Sequence, residues 1–128
     1  FIDGCIDSAR ELGHTSTIHG RRRTVSHLNS RNFMDRSASE RVAVNTPIQG
    51  SAADLIKLAM VQVARRLERD HPDARLLLQV HDELLLEVAE GEAEAVARAV
   101  QQEMEGVTPL HVELAVEAGM ARTWAEAH

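Results

Sequence analysis

Asp82 and Glu83 stand side by side between two short apolar runs, Leu76-Leu77-Leu78-Gln79-Val80 and Leu84-Leu85-Leu86-Glu87-Val88, with His81 just before them. Adjacent carboxylates repel each other unless solvent, a cation or a base accommodates them. On a rigid hairpin tip they would be a precise mount for a ligand. A few hard oxygen ligands suit Mg²⁺, which keeps several waters and shares its sphere with phosphates. The plainer reading is an acidic turn in water, and His81 by itself reads as a surface or packing histidine. A second group is Gly20-Arg21-Arg22-Arg23, followed by Arg31, Arg36 and Arg41. The planar guanidinium fork matches phosphate, although a solvated basic face would look the same. A third group is Asn45 and Gln49, four apart across Pro47 and followed by Gly50. Side-chain amides both donate and accept. They therefore suit minor-groove edges, where every base pair offers acceptors in similar places. Gly50 has no side chain and would let another molecule approach. Helix capping is the alternative for this group.

These residues need elements to hold them. Ile6, Ala9 and Leu12 recur at helical spacing, and Gly13 is a natural stop, so residues 4–12 read as the end of a helix. Residues 14–18 read as a short extended stretch. The arginine run and the polar residues through Ser30 read as irregular. A helix is expected from about Asn32 to Asn45, broken at Pro47, with a second helix starting there. Ile48, Ala52, Leu55, Ile56, Ala59, Met60, Val63 and Leu67 form the apolar stripe of that second helix, which ends before Pro72. At 1.5 Å per residue it is a rod of about 33 Å. The two apolar runs around His81-Asp82-Glu83 read as a β-hairpin. Its break is not the Asn-Gly pair preferred in two-residue turns, so turn-making alone does not explain those residues. Glu92 to Met104 reads as an amphipathic helix closed by Gly106, and the alternation from Leu110 to Val116 as a half-buried strand. A short tail anchored by Trp124 follows. The expected fold class is α+β, helices packed on an antiparallel sheet.

Composition narrows the function. The chain has 128 residues, 44% hydrophobic and 27% charged, which suits one globular domain or a piece of a larger one. No run approaches the roughly 18 apolar residues of a membrane span. The start, Phe1-Ile2-Asp3-Gly4, shows no signal peptide and suggests a cut N-terminus. Cys5 is the only cysteine, so no internal disulfide and no Cys-based zinc site is expected. Phe1, Phe33 and Trp124 are the only aromatics, too few for a base-stacking platform. The net charge of −6 hides an asymmetry. Residues 10–41 carry seven arginines against three acids, whereas residues 82–128 carry eleven acids against Arg98 and Arg122. Only the first stretch is suited to a polyanion.

Taken together, three segments resemble the C-terminal part of family A DNA polymerases, the bacterial DNA polymerase I type. They are Glu40-Arg41-x-Ala43-x-Asn45-x-Pro47-Ile48-Gln49-Gly50-Ser51-Ala52-Ala53-Asp54, Gln79-Val80-His81-Asp82-Glu83-Leu84, and Trp124-Ala125-Glu126-Ala127-His128. Gly20-Arg21-Arg22-Arg23 fits the same family, and the likeness runs over essentially the whole chain. It implies a palm subdomain with part of the fingers–palm junction, an antiparallel palm-type sheet with a catalytic β-hairpin packed on long helices. Residues 1–128 would be the C-terminal part of the polymerase domain. The family role of Asp82 would be to hold two catalytic Mg²⁺ ions, shared with an aspartate upstream of this chain. Glu83 would support the metal site and the primer end, and His81 would lie near the terminal primer nucleotide. Arg41, Asn45 and Gln49 would contact primer and template near the last pair. Arg21, Arg22 and Arg23 would serve backbone contacts or the fold. The partners implied are primer-template DNA and a dNTP, in a monomeric, cytoplasmic bacterial or phage-type enzyme without a membrane role. Two departures, His14 after Gly13 and Ser26-His27 in place of a proline, fall outside the metal and amide positions.

The implied activity is template-directed DNA synthesis by the parent enzyme. The fragment alone is expected to be inactive, because the first metal-binding aspartate and the nucleotide-gripping fingers helix would lie before Phe1. Three rivals are weaker. A phage-type single-subunit RNA polymerase typically follows His-Asp with serine, where this chain has Glu83. A non-catalytic DNA-binding module would account for the arginines but not for paired acids at a hairpin tip. A His-Asp phosphohydrolase needs further histidines at helical spacing, which His71, His111 and His128 do not supply.

Overall fold

A computed structural model describes residues 1–127; His128, last of the terminal motif, lies outside them. The backbone divides into two units, Phe1–Asp54 and Leu55–His128.

In the first unit, helix α1 spans Ile2–Leu12 and stops at Gly13, whose φ of 72° is the left-handed turn that glycine adopts without strain. The Gly13 N–H returns to the Ala9 carbonyl at 2.9 Å. Strand β1, His14–Ser16, pairs antiparallel with β2, Arg22–Thr24. Arg22 and Arg23 are therefore in a strand, not in the irregular segment their polarity suggests, and Arg21 stands just before it. The reversal explains this. Gly20 has a φ of 80°, its N–H donates to Thr17 O at 2.9 Å, and the Thr17 N–H donates to Arg21 O at 3.0 Å. Helix α2, Phe33–Asn45, is capped by Asn32, whose side chain accepts the Met34 N–H at 2.9 Å. Ala9, Val25, Leu28 and Ala43 form the buried cluster of this unit, flanked by Ile6 and Val42.

The helix does not break at Pro47. Residues Thr46–Gly50 form one wide π-helical turn that runs straight into α3, Ser51–Asp70. In an α-helix the N–H of residue 47 would donate to the Ala43 carbonyl, and proline has no such donor. The Thr15 hydroxyl takes its place, donating to Ala43 O at 3.2 Å. The Thr46 hydroxyl donates to Val42 O at 2.7 Å. With these acceptors satisfied, the chain widens by one residue instead of ending.

In the second unit, the stripe on α3 is buried at Ala59, Val63 and Leu67, while Ile48, in the first unit, is exposed. Strands β3, Arg75–Val80, and β4, Glu83–Glu87, form the expected antiparallel hairpin. Leu76 pairs with Leu86 and Leu78 with Leu85, so Leu77 is an extra residue in β3. That bulge upsets the alternation and leaves both Leu77 and Leu78 exposed. A 3₁₀ turn, Glu90–Glu92, leads into α4, Ala93–Glu105. Val63, Leu67, Ala74, Val96 and Val100 form the core, with Leu76, Leu84, Leu86, Val88 and Met104 packed against it.

The strand expected at Leu110 to Val116 does not form. The Val116 carbonyl accepts from Gln101 Nε2 at 2.9 Å, and its N–H donates to Glu105 Oε1 at 3.2 Å. At Val116, side chains of α4 thus occupy the backbone groups that a neighbouring strand would need. Trp124 is 48% exposed and opens a four-residue helix, α5, Trp124–Ala127, so it does not bury as an anchor. The class is α+β, but its sheets are two separate two-stranded ribbons among the described residues. No helix among them is long and apolar enough to cross a membrane.

Candidate functional site

The hairpin of the second unit turns in two residues, His81 and Asp82, because Val80 pairs directly with Glu83. His81 has a φ of 53°. A positive φ at the first central position and not at the second, Asp82, is the pattern of a type II′ turn, a place normally taken by glycine. Here histidine holds it, at a backbone cost of about 1–2 kcal/mol. Gln79 helps to fix the bend, its Nε2 donating to the His81 carbonyl at 2.5 Å. His81, Asp82 and Glu83 are all exposed. Leu84 and Leu86 seat β4 on the unit's core. The carboxylates therefore sit at the end of a paired ribbon whose leucines are partly buried against the core. This donor set suits a Mg²⁺ ion that takes one or two protein carboxylates and fills the rest of its sphere from water and phosphate. Among the described residues, no group of three or more His, Cys, Asp or Glu side chains could hold a metal ion. By donor chemistry the two adjacent carboxylates fit part of such a site and not the whole of one.

The basic and amide residues lie in the first unit. Arg41 and Asn45 are one turn apart on α2, Gln49 is in the π turn, and all three are exposed. Arg22 and Arg23 are exposed on β2. Arg21 differs from its neighbours. Its Nε donates to Asp54 Oδ1 at 2.7 Å and its Nη2 to the Gly50 carbonyl at 3.1 Å. Of the two roles open to the arginine run, the fold is the one that engages Arg21.

Gly50 does permit a close approach, but by the chain itself. A Cβ there would meet Thr17 Cγ2 at 2.8 Å. The Ser51 hydroxyl, one residue on, accepts the Ile18 N–H at 3.0 Å and donates to the Pro47 carbonyl. Asp54 is almost enclosed, with 11% of its side chain exposed. The Thr17 hydroxyl is the largest influence on its carboxyl, holding it below the usual carboxylate range. Burial pulls the other way, and the Arg21 guanidinium and then His19 add to the lowering. The contacts that Thr15, Ser51 and Asp54 make were not legible in the sequence, although Ser51 and Asp54 stand in the segment that carries the resemblance. Isolated polar residues carry no periodic signal, and the partners of these three lie 28 to 33 positions away.

The family model for DNA polymerase family A matches residues 1–126. The chain belongs to that family. It is 50% identical over 129 aligned positions to DNA polymerase I of Mycobacterium tuberculosis (strain ATCC 25618 / H37Rv), covering 100% of this chain and 14% of that protein. It is 50% identical over 127 positions to the thermostable DNA polymerase I of Thermus aquaticus, covering 99% of this chain and 15% of that one. A solved structure, the POL domain of Pol1 from M. smegmatis in complex with DNA primer-template and dNTP, superposes with a TM-score of 0.94. It is 48% identical and covers 99% of this chain and 23% of that one. This family A chain thus spans about a seventh of the length of its curated relatives. The likeness extends over both units and over both short ribbons.

Proposed function

We propose that this chain is the C-terminal, palm-type part of a polymerase domain, and that its parent copies DNA by joining a dNTP to a primer 3′-OH under template direction. Asp82 would hold Mg²⁺, shared with an aspartate elsewhere in the parent, and Glu83 would support that site. When bound, the metal would neutralise charge on the transferring phosphoryl group and favour attack by the 3′ oxygen. The protein's own share is positioning. The two-residue turn fixes Asp82 at a ribbon's end, and the His81 side chain beside it would stand near the last primer nucleotide. Arg41 would neutralise backbone phosphate. Asn45 and Gln49 would donate to minor-groove acceptors at the terminal pair, where similar acceptors on every correct pair allow shape to be checked without reading sequence. Arg22 and Arg23, exposed on β2, would meet the nucleic-acid backbone.

The observation that carries this reading is an exposed aspartate on a two-residue turn in a chain matched over residues 1–126 by a polymerase family. The roughly even identity to DNA polymerase I sequences favours DNA synthesis over a phage-type RNA polymerase or a non-catalytic binding module. The parent would act as a soluble monomer in DNA replication or repair, in the bacterial cytoplasm. The deciding experiment is primer extension by the intact parent carrying Asp82→Ala. Incorporation should fall by at least about a thousandfold, the scale of losing a principal electrostatic group from an active site. Binding to primer-template duplex should hold within a few fold. Near-normal incorporation would remove the metal role.

A further inference from the structure

We infer that Arg21 and Asp54 are positioning residues that lock the π turn and thereby set where Gln49 stands. The inference rests on the proposed role of Gln49 at the terminal base pair, and it concerns the first unit alone.

A π turn is an α-helix with one residue too many. If that extra residue is lost or moves along the chain, everything beyond it rotates by about 100°, the angle per residue of an α-helix. A rotation of that size would carry an exposed side chain from one face of the helix to another. Such turns are rare, so something must hold this one in register. Proline at position 47 removes one α-helical hydrogen bond but does not say where the wide turn should close.

The β1–β2 ribbon supplies that information through contacts along the turn. Thr15 Oγ1 donates to Ala43 O on the near side. The Ile18 N–H donates to Ser51 Oγ on the far side. Arg21 then uses both arms of its guanidinium, Nη2 to Gly50 O at 3.1 Å and Nε to Asp54 Oδ1 at 2.7 Å. The first bond grips the residue next to Gln49, and the second ties that grip to the first turn of α3. The Arg21 N–H donates to Thr17 Oγ1 at 3.1 Å, which closes the ribbon's own turn. Gly50 completes the seat, since Thr17 Cγ2 occupies the space a Cβ would need. Lysine could pair with Asp54 but has no rigid fork to reach both acceptors.

The test uses the intact parent, with Arg21→Gln, Arg21→Lys, Asp54→Asn, Gln49→Ala and the Arg21→Gln/Gln49→Ala double variant. Backbone hydrogen exchange over residues 46–50 reads the lock directly. It should rise about tenfold or more in Arg21→Gln and Asp54→Asn, as expected when a local opening is made easier. Unchanged exchange in both would overturn the inference, whatever the kinetics show. Extension from matched and mismatched primer ends reads the consequence. Each lock variant should cut the matched-over-mismatched kcat/KM ratio about tenfold, the scale of one lost charged hydrogen bond. The double variant should lose no more than Gln49→Ala alone. Arg21→Lys should fall between wild type and Arg21→Gln. If Gln49→Ala changes the ratio while the lock variants only lower the melting temperature, the inference fails and the amide reading stands. If Gln49→Ala leaves the ratio unchanged, the amide reading falls, and with it the claim that the lock serves Gln49.

Discussion

His81 holds a backbone conformation that glycine would adopt freely, with a φ of 53° at the bend that presents Asp82. A strained residue at an exposed turn points to a side chain kept for what it touches. His81→Gly should therefore shift stability by no more than about 1 kcal/mol, because relief of strain offsets the freer unfolded chain. It should still slow primer extension by the intact parent. Thermal melts alongside single-turnover rates check both halves. Asp54 makes a different prediction. Its carboxyl is held below the usual range, foremost by the Thr17 hydroxyl and then, against burial, by Arg21. A group with a lowered folded pKa adds stability above its unfolded value and loses it as pH falls through the folded one. Asp54→Asn should therefore lower the melting temperature at pH 7. The gap from wild type should narrow as pH drops below about 4, the ordinary aspartate value. A gap that stays constant from pH 7 to pH 3 would contradict the assignment.

Among the elements, the π turn is the one most sensitive to a single atom. Gly50→Ala sets a methyl 2.8 Å from Thr17 Cγ2. It should cost about 1–3 kcal/mol, the usual range for overpacking, measured by denaturant unfolding of the intact parent; a neutral result would mean that the ribbon is loosely seated. This element also marks where reading by sequence stopped. Pro47 is a local signal and indicates a break. The donor that keeps the helix continuous is Thr15, 28 positions before the Ala43 carbonyl it satisfies, and nothing near Pro47 announces it. The hairpin was legible because two apolar runs and a polar tip sit next to each other in the chain. Its bulge at Leu77 was not, since three consecutive leucines carry no mark of register. The alternation from Leu110 to Val116 has the right period for a strand. Pairing, however, is a property of neighbours, and at Val116 the neighbours are Gln101 and Glu105.

For the whole molecule, the candidate site residues are spread over both units. Arg41, Asn45 and Gln49 lie in one unit, and His81, Asp82 and Glu83 in the other. The motifs that identified the family were legible because each is short and contiguous. The charge asymmetry was legible as well, with arginines early and acids late. The further ligands that the proposed metal site needs have no trace among the described residues. The isolated 128-residue chain, supplied with Mg²⁺, primer-template and all four nucleotides, should extend no primer; template-dependent product would mean that the site is complete within it. The most direct test of the central claim is anomalous diffraction from crystals of the intact parent with primer-template, a nucleotide and Mn²⁺. A metal peak is expected within coordination distance, about 2.0–2.2 Å, of an Asp82 carboxylate oxygen. Metal peaks elsewhere in the active site, with none at Asp82, would contradict it.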